Sequence, residues 1–298
     1  MVHLLGNKAI HKTESKLAAV FRLTRIEHSA MLVIAVLAAE VIVGKSIPLA
    51  KILLSLISPV LISMGAFAIN DYFDIEVDKL NKKNRPLVTG VLKPKDALYI
   101  TAVSMLVGVI ASAAINAYCF AIAAIFAVLA VSYSYKLKEM LLLGNAYIAF
   151  SMAIPFIFGN YVSVSSLYMS IAVISTMIFI SGMAREIHGT IRDYSGDIKI
   201  RAARTLPTVA GVKGSAVTAL ILYLIAIAIS IYIFFYIAPF KFNMLYAFIV
   251  GLSDLLLLYV AIGYIYKGRK FYDMARNISL AAMALALLAF LFSPLVAY

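Results

Sequence analysis

The chain has 298 residues, of which 64% are hydrophobic and only 13% charged, and it carries a formal net charge of +12. Soluble domains carry about 25% charged residues, so this composition excludes a fold with a fully water-facing surface. Its single cysteine, Cys119, lies in an apolar run and reads as a small buried hydrophobe; alone it excludes an internal disulfide and a multi-cysteine metal site.

Residues Met1–Glu14 are polar and lack the apolar core of a signal peptide, so the first 20 or so residues read as a short cytoplasmic tail on a single transmembrane domain covering 1–298. Nine spans follow, roughly Arg25–Val43, Ile47–Tyr72, Ala97–Asn116, Tyr118–Tyr135, Leu141–Gly159, Ser165–Thr190, Gly214–Ala238, Asn243–Tyr266 and Ala275–Ala297. Two stretches carry the count. Ala97–Tyr135 has 39 residues and Met140–Ala184 has 45, both without Asp, Glu, Lys or Arg. A spanning helix needs about 20 residues, so each stretch holds two. Turn signals separate the spans at Gly44-Lys45-Ser46, Asn116, Gly159-Asn160 and Pro239. The predicted class is all-α: a polytopic bundle of nine transmembrane helices.

If the spans alternate, 23 of the 26 cations fall on one side, and only Lys45, Lys51 and Lys241 on the other. The positive-inside rule makes the rich side cytoplasmic and places the protein as multi-pass in the cell membrane, with the N-terminus inside and the C-terminus outside. The same asymmetry accounts for the basic charge without nucleic acid.

The chain has only 14 acidic residues, so their clustering is informative. After the second span stands Asn70-Asp71-Tyr72-Phe73-Asp74-Ile75-Glu76-Val77-Asp78. Asp71, Asp74 and Asp78 are spaced i, i+3, i+7, one face of a helix. Three carboxylates on one face at a membrane boundary repel one another unless a cation sits among them. After the sixth span, Asp193 and Asp197 are spaced i, i+4, and Thr190 stands where a third acid would complete the set. Both clusters fall at the cytoplasmic level, which suits a hard cation such as Mg²⁺ that bridges carboxylates to substrate phosphates. Arg85 follows the first cluster, and Lys199, Arg201 and Arg204 follow the second. Acids at the helix ends argue against a carrier, whose ionisable groups lie near the midplane. The absence of any Asp-Gly pair, with acids in two separate segments, argues against a CDP-alcohol phosphotransferase.

These motifs resemble the UbiA superfamily of intramembrane prenyltransferases. The resemblance rests on Asn70-Asp71-x-x-Asp74-x-x-x-Asp78, Asn84-Arg85-Pro86, the Tyr133–Lys138 segment Tyr-Ser-Tyr-Lys-Leu-Lys, Arg185-Glu186-Ile187, Asp193, Gly196-Asp197 and Thr205-Leu206-Pro207. It runs from about Arg22 to the C-terminus, and departs from the family pattern at Thr190. It implies an isoprenyl diphosphate bound through Mg²⁺ to Asp71, Asp74, Asp78, Asp193 and Asp197 with Asn70, its chain in an apolar tunnel. Within the family the pattern is most similar to archaeal members that move a geranylgeranyl group from geranylgeranyl diphosphate onto the hydroxyl of geranylgeranylglyceryl phosphate in ether-lipid synthesis. The segment Arg25-Ile26-Glu27-His28 is instead similar to members acting on 4-hydroxybenzoate-type aromatics. Arg85, Tyr133, Lys136, Thr190 and Arg204 are candidate substrate contacts, Arg22, Arg25 and Lys199 candidates for the acceptor's phosphate, and His28 for the acceptor's proton. Two further acids stand apart: Glu40, read as interfacial on the far side, and Asp254, with no expected role beyond a helix–helix hydrogen bond.

Overall fold

The computed structural model describes residues 15–200, 205–268 and 270–296, with side chains for all of these except 195–200. Arg204 therefore lies outside the described residues, as do the side chains of Asp197 and Lys199. Helix α1 (Lys16–Thr24) begins at Ser15, whose hydroxyl accepts from the Ala18 amide at 3.2 Å. A single 3₁₀ turn (Ile26–His28) leads into α2 (Ser29–Val43), which Gly44 ends in the left-handed region, at φ 65°. Then come α3 (Leu49–Phe73), α4 (Ile75–Leu80), α5 (Pro94–Ala113), α6 (Ala117–Tyr135), α7 (Leu143–Ser163), α8 (Met169–Ile200), α9 (Leu206–Tyr236), α10 (Met244–Tyr266) and α11 (Lys270–Phe292). Among the described residues nine helices are long and apolar enough to cross a membrane, as the hydropathy predicts. Their outward side chains, such as Leu106, Val128, Phe248 and Leu255, are large, apolar and exposed, as a lipid-facing surface requires.

Two boundaries differ from the sequence reading. The tail was expected to run to about residue 20, but Lys16–Thr24 is a helix that buries Ala19 and Leu23 against Ala68, Leu87, Leu92 and Ala97. The second acidic segment is not a loop either, since α8 continues as helix through Ile200.

The far-side turns share one device. Asn116, Asn160 and Asn243 each accept a backbone N–H through the side-chain oxygen and donate through the amide to a carbonyl elsewhere, of Tyr161, Ser166 and Ser293 respectively. A backbone group left unpaired near the bilayer is costly, so each asparagine ties a helix end down and satisfies it. Small residues set one close crossing. A Cβ on Gly108 would lie 2.9 Å from the Ser58 carbonyl oxygen, and one on Gly65 would lie 2.8 Å from the Ser104 hydroxyl, so α3 and α5 approach as only glycine allows.

The two halves of the bundle pack differently. Helices α8–α11 share one apolar core with α2 and α7, around Phe156, Ile174, Tyr246 and Phe290, and build a second among themselves around Ile187, Tyr223, Val260 and Phe271. Between α2, α3, α6 and α7 the buried clusters are smaller, and a cavity fills the remaining space. Pro59 of α3 and Pro155 of α7, each inside its helix, both line it. An interior proline removes one helical hydrogen bond and clashes with the preceding turn, so each loosens the wall it belongs to.

Glu40, in the last turn of α2, is buried within the bundle. It is 6% exposed and accepts a 2.6 Å hydrogen bond from Ser55 of α3. Asp254 makes the helix–helix bond expected of it, accepting from Ser230 of α9 at 2.6 Å. Cys119 is buried and unpaired.

Candidate active site

The first acidic motif spans a bend. α3 ends at Phe73, Asp74 stands between helices at φ −93°, ψ 3°, and α4 resumes at Ile75. The three acids therefore do not lie on one unbroken helix as the spacing predicted. The fold gathers Asp71 and Asp78 around Arg85, adds Arg25 at Asp71, and gives Asp74 a lysine instead. Asp71, at the end of α3, is 2% exposed and accepts from Arg25 Nη2 at 2.8 Å and from Arg85 Nη1. Asp78 of α4 is also 2% exposed, with Lys83 Nζ at 2.8 Å and Arg85 Nε at 3.0 Å, the latter out of line for a hydrogen bond. Asp74 accepts from Asn70 Nδ2 at 3.2 Å and Lys138 Nζ at 2.7 Å.

Local structure explains why these cations arrive. Arg25 caps α1 in the left-handed region at φ 46°, a conformation that costs a non-glycine residue about 1–2 kcal/mol. The strain turns its guanidinium under the bundle, 4.7 Å over the Phe67 ring and onto Asp71. Burial lowers the Arg25 pKa and the Asp71 carboxylate opposes the shift; at this side chain's intrinsic basicity the charge stays. Arg85 arrives because Leu87 and Leu92 pack on α1 and fold the connection back over the motif. Arg22 Nη2 donates to the Asn84 carbonyl, so Arg22 holds the Asn84-Arg85-Pro86 segment in place.

Three groups of expected site residues stand as follows. Lys136 is exposed, whereas Lys138, in the same motif, reaches Asp74. α6 ends at Tyr135, Lys136 leaves the helix at φ −148°, and the 3₁₀ turn Leu137–Glu139 swings the next lysine inward. His28 is exposed too, 3.5 Å from Glu27 with its ring 5.6 Å from Phe67. It stands outside the cluster. At the second motif the described side chains pair within α8. Asp193 is held by Arg192 through two hydrogen bonds of 2.8 and 3.0 Å, and Thr190 donates to the Ile187 carbonyl at 2.8 Å. Among the described residues, no three of His, Cys, Asp and Glu converge on a metal position.

Behind the first motif lies the cavity, of about 280 Å³. Arg25, Asn70 and Tyr133 stand at its polar end, with Tyr133 stacked on Tyr147 at 4.5 Å between ring centres. Its depth is apolar, walled by Leu32, Ile62, Phe67, Phe126, Ile148 and Phe158. From Asn70 to Pro59 the wall runs eleven residues along α3, about 16 Å at 1.5 Å per residue. The combination is a charged mouth on a long greasy slot. It suits an amphiphile with an anionic head and a hydrocarbon tail.

The family model of the UbiA prenyltransferases matches residues 31–288. The chain belongs to the UbiA prenyltransferase family. It is 37% identical to the digeranylgeranylglyceryl phosphate synthase of Archaeoglobus fulgidus, over 92% of this chain and 94% of that one. It is 31% identical to the protein of the same name from Sulfurisphaera tokodaii, over 82% and 87%. A structure solved for digeranylgeranylglyceryl phosphate synthase in membranes superposes with a TM-score of 0.77 at 26% identity, covering 94% of this chain and 98% of that one. A UbiA homologue from Aeropyrum pernix K1 gives 0.75 at 18% identity, covering 89% and 97%, and shares the fold. This UbiA chain is thus a multi-pass membrane prenyltransferase.

The cation–carboxylate cluster yields a stability prediction. Arg85→Ala leaves Asp71 and Asp78 buried with less compensation, and breaking a buried pair from one side costs about 3–5 kcal/mol. Because Arg85 is 24% exposed, the lower end, about 3 kcal/mol, is expected. Lys79→Ala, which breaks only the exposed pair with Glu76, is expected to change stability by less than about 1 kcal/mol. Chemical unfolding of the two variants in detergent checks the contrast; equal losses would show that the buried network does not hold this end together.

Proposed function

We propose that the protein is a digeranylgeranylglyceryl phosphate synthase: a Mg²⁺-dependent enzyme that moves the geranylgeranyl group of geranylgeranyl diphosphate onto the free hydroxyl of geranylgeranylglyceryl phosphate. The observation that carries the reading is a buried Asp–Arg–Lys cluster set at the mouth of an apolar cavity, in a chain whose curated relatives bear that name. A homologue of the same fold from Archaeoglobus fulgidus has been solved with GPP and Mg²⁺, at 19% identity and a TM-score of 0.66.

The donor set fits the metal. Asp71, Asp74 and Asp78 offer hard oxygen ligands, with the Asn70 side chain beside Asp74, and Asp193 and Asp197 of the second motif are read as ligands of the same type. Bound Mg²⁺ would neutralise the diphosphate as it leaves. The chain's own residues do the rest. Arg25, Arg85, Lys83 and Lys138 already surround the carboxylates, and their donors can turn to phosphate oxygens as negative charge builds there. The bond between C1 of the prenyl group and the diphosphate oxygen breaks, with its electron pair going to diphosphate. Tyr133, Tyr147 and Phe126 line the cavity, and their π-systems would stabilise the allylic cation left behind. The apolar walls keep water from it. The acceptor oxygen then bonds C1 and its proton passes to a diphosphate oxygen, completing the ether.

Purified protein with Mg²⁺, labelled geranylgeranyl diphosphate, and equal concentrations of geranylgeranylglyceryl phosphate and 4-hydroxybenzoate tests the reading. The glyceryl ether is expected as the main product, and removing Mg²⁺ is expected to stop turnover. Faster prenylation of the aromatic acid would overturn the acceptor assignment.

Asp74→Asn and Asp193→Asn are each expected to lower kcat/KM by more than about tenfold, roughly 1.4 kcal/mol of barrier, while the protein stays folded. A smaller effect in both would remove these carboxylates from the chemistry.

The active site is read as facing the cytoplasm, on the strength of the cation asymmetry. In intact cells, a cysteine introduced at Lys241 is expected to react with an impermeant reagent, and cysteines at Lys82 or Lys267 to stay protected. The reverse pattern would invert the topology.

A further inference from the structure

A second cavity, of about 240 Å³, lies between α8, α10 and α11 and shares no lining residue with the apolar one. Its polar wall includes Arg185, His188 and Arg192 from α8, Tyr264 from α10, and Arg276 and Ser279 from α11. His188 is 3% exposed and lies flat on Tyr264, ring centres 3.8 Å apart, yet neither ring nitrogen has a hydrogen-bond partner. Arg185 gives Nη1 to Glu186 at 2.8 Å, while its buried Nε has no partner. Arg192 is committed to Asp193. The exposed Arg276 guanidinium makes no hydrogen bond or ion pair among the described residues, while its backbone carbonyl accepts from Ser279 at 2.9 Å.

The imbalance is chemical. The two carboxylates in the wall, Glu186 and Asp193, already have arginine partners. What remains over is mostly donors: the buried Arg185 Nε–H and the His188 ring, with the exposed Arg276 guanidinium beside them. Guanidinium groups cannot accept, and buried donors demand acceptors. An anion with several oxygens satisfies them together, and the arginine fork matches phosphate geometry.

We propose that this cavity seats the phosphate monoester of the acceptor lipid. The inference rests on the acceptor reading above and relocates that phosphate. The sequence pointed to Arg22, Arg25 and Lys199; the structure engages Arg22 with Asn84 and Arg25 with Asp71, and the Lys199 side chain lies outside the described residues. The donor's diphosphate belongs at the mouth of the apolar cavity, because its hydrocarbon chain fills that cavity. The acceptor carries its phosphate and its free hydroxyl on adjacent glycerol carbons. A phosphate held beside Asp193, which also lines the second cavity, therefore presents the hydroxyl at the second acidic motif.

The test uses Arg276→Gln and Arg276→Lys, assayed with Mg²⁺ and geranylgeranyl diphosphate against geranylgeranylglyceryl phosphate and its dephosphorylated counterpart, geranylgeranylglycerol. Arg276→Gln is expected to raise the KM of the phosphorylated acceptor by about tenfold or more, as loss of one charge-assisted contact would. The KM of geranylgeranyl diphosphate is expected to stay within about twofold of wild type, well under one such contact. The preference for the phosphorylated acceptor is expected to shrink, and Arg276→Lys to recover part of it. A rise in the KM of geranylgeranyl diphosphate instead would assign the cavity to the donor and overturn the proposal. So would an unchanged preference between the two acceptors. Calorimetric titration of glycerol phosphate into wild type and Arg276→Gln reads the cavity without turnover. Weaker binding by the variant supports the site, and equal binding removes it. If wild type transfers to neither acceptor, the functional reading fails, and the titration still decides whether the cavity holds phosphate.

Discussion

Two carboxylates, Asp71 and Asp78, are buried to 2% exposure at the edge of an apolar bundle, and the rest of the site is arranged around keeping them charged. An isolated carboxylate in such a place costs more than the fold's net stability can absorb. Arg85 touches both and Arg25 reaches the first. The demand reaches outward from there. It gives a reason for the left-handed Arg25, for the apolar staple of Leu87 and Leu92 on α1, and for Arg22 holding the Asn84 carbonyl. A buried ion pair contributes little net stability. Its worth here is positional, since it fixes charged donors at the point where a diphosphate would shed its chain.

The bundle's two halves divide the labour. Helices α8–α11 are filled by apolar cores and hold a polar pocket around His188. The half containing α3, α6 and α7 leaves an apolar slot, opened next to Pro59 and Pro155 and headed by Asn70, Arg25 and Tyr133. An enzyme that joins two amphiphiles needs two separate seats for two anionic heads, and one dry passage for the reacting carbon. The arrangement of one greasy cavity and one arginine-lined cavity, each beside its own acidic motif, meets that need.

The sequence alone determined much of this. Charge-free stretches of fixed length dictate nine spans, because a bilayer demands about 20 apolar residues per crossing. Asn116, Asn160 and Pro239 mark turns because backbone groups there need partners that contiguous residues can supply. The acidic motifs are visible because carboxylates are too costly in such a chain to be incidental. Each of these signals is local, carried by neighbours in the chain. The tertiary structure decided the pairings. Lys138 rather than Lys136 meets Asp74 because α6 ends one residue early for the helical register to predict. Glu40 is buried because Ser55 happens to cross it. His188 gave no sign in the sequence, as its meaning depends on Tyr264 and Arg276 from two other helices. Hydropathy and periodicity act over one helix. Which charge meets which, and where space is left between helices, depends on crossing geometry that only the packed bundle contains.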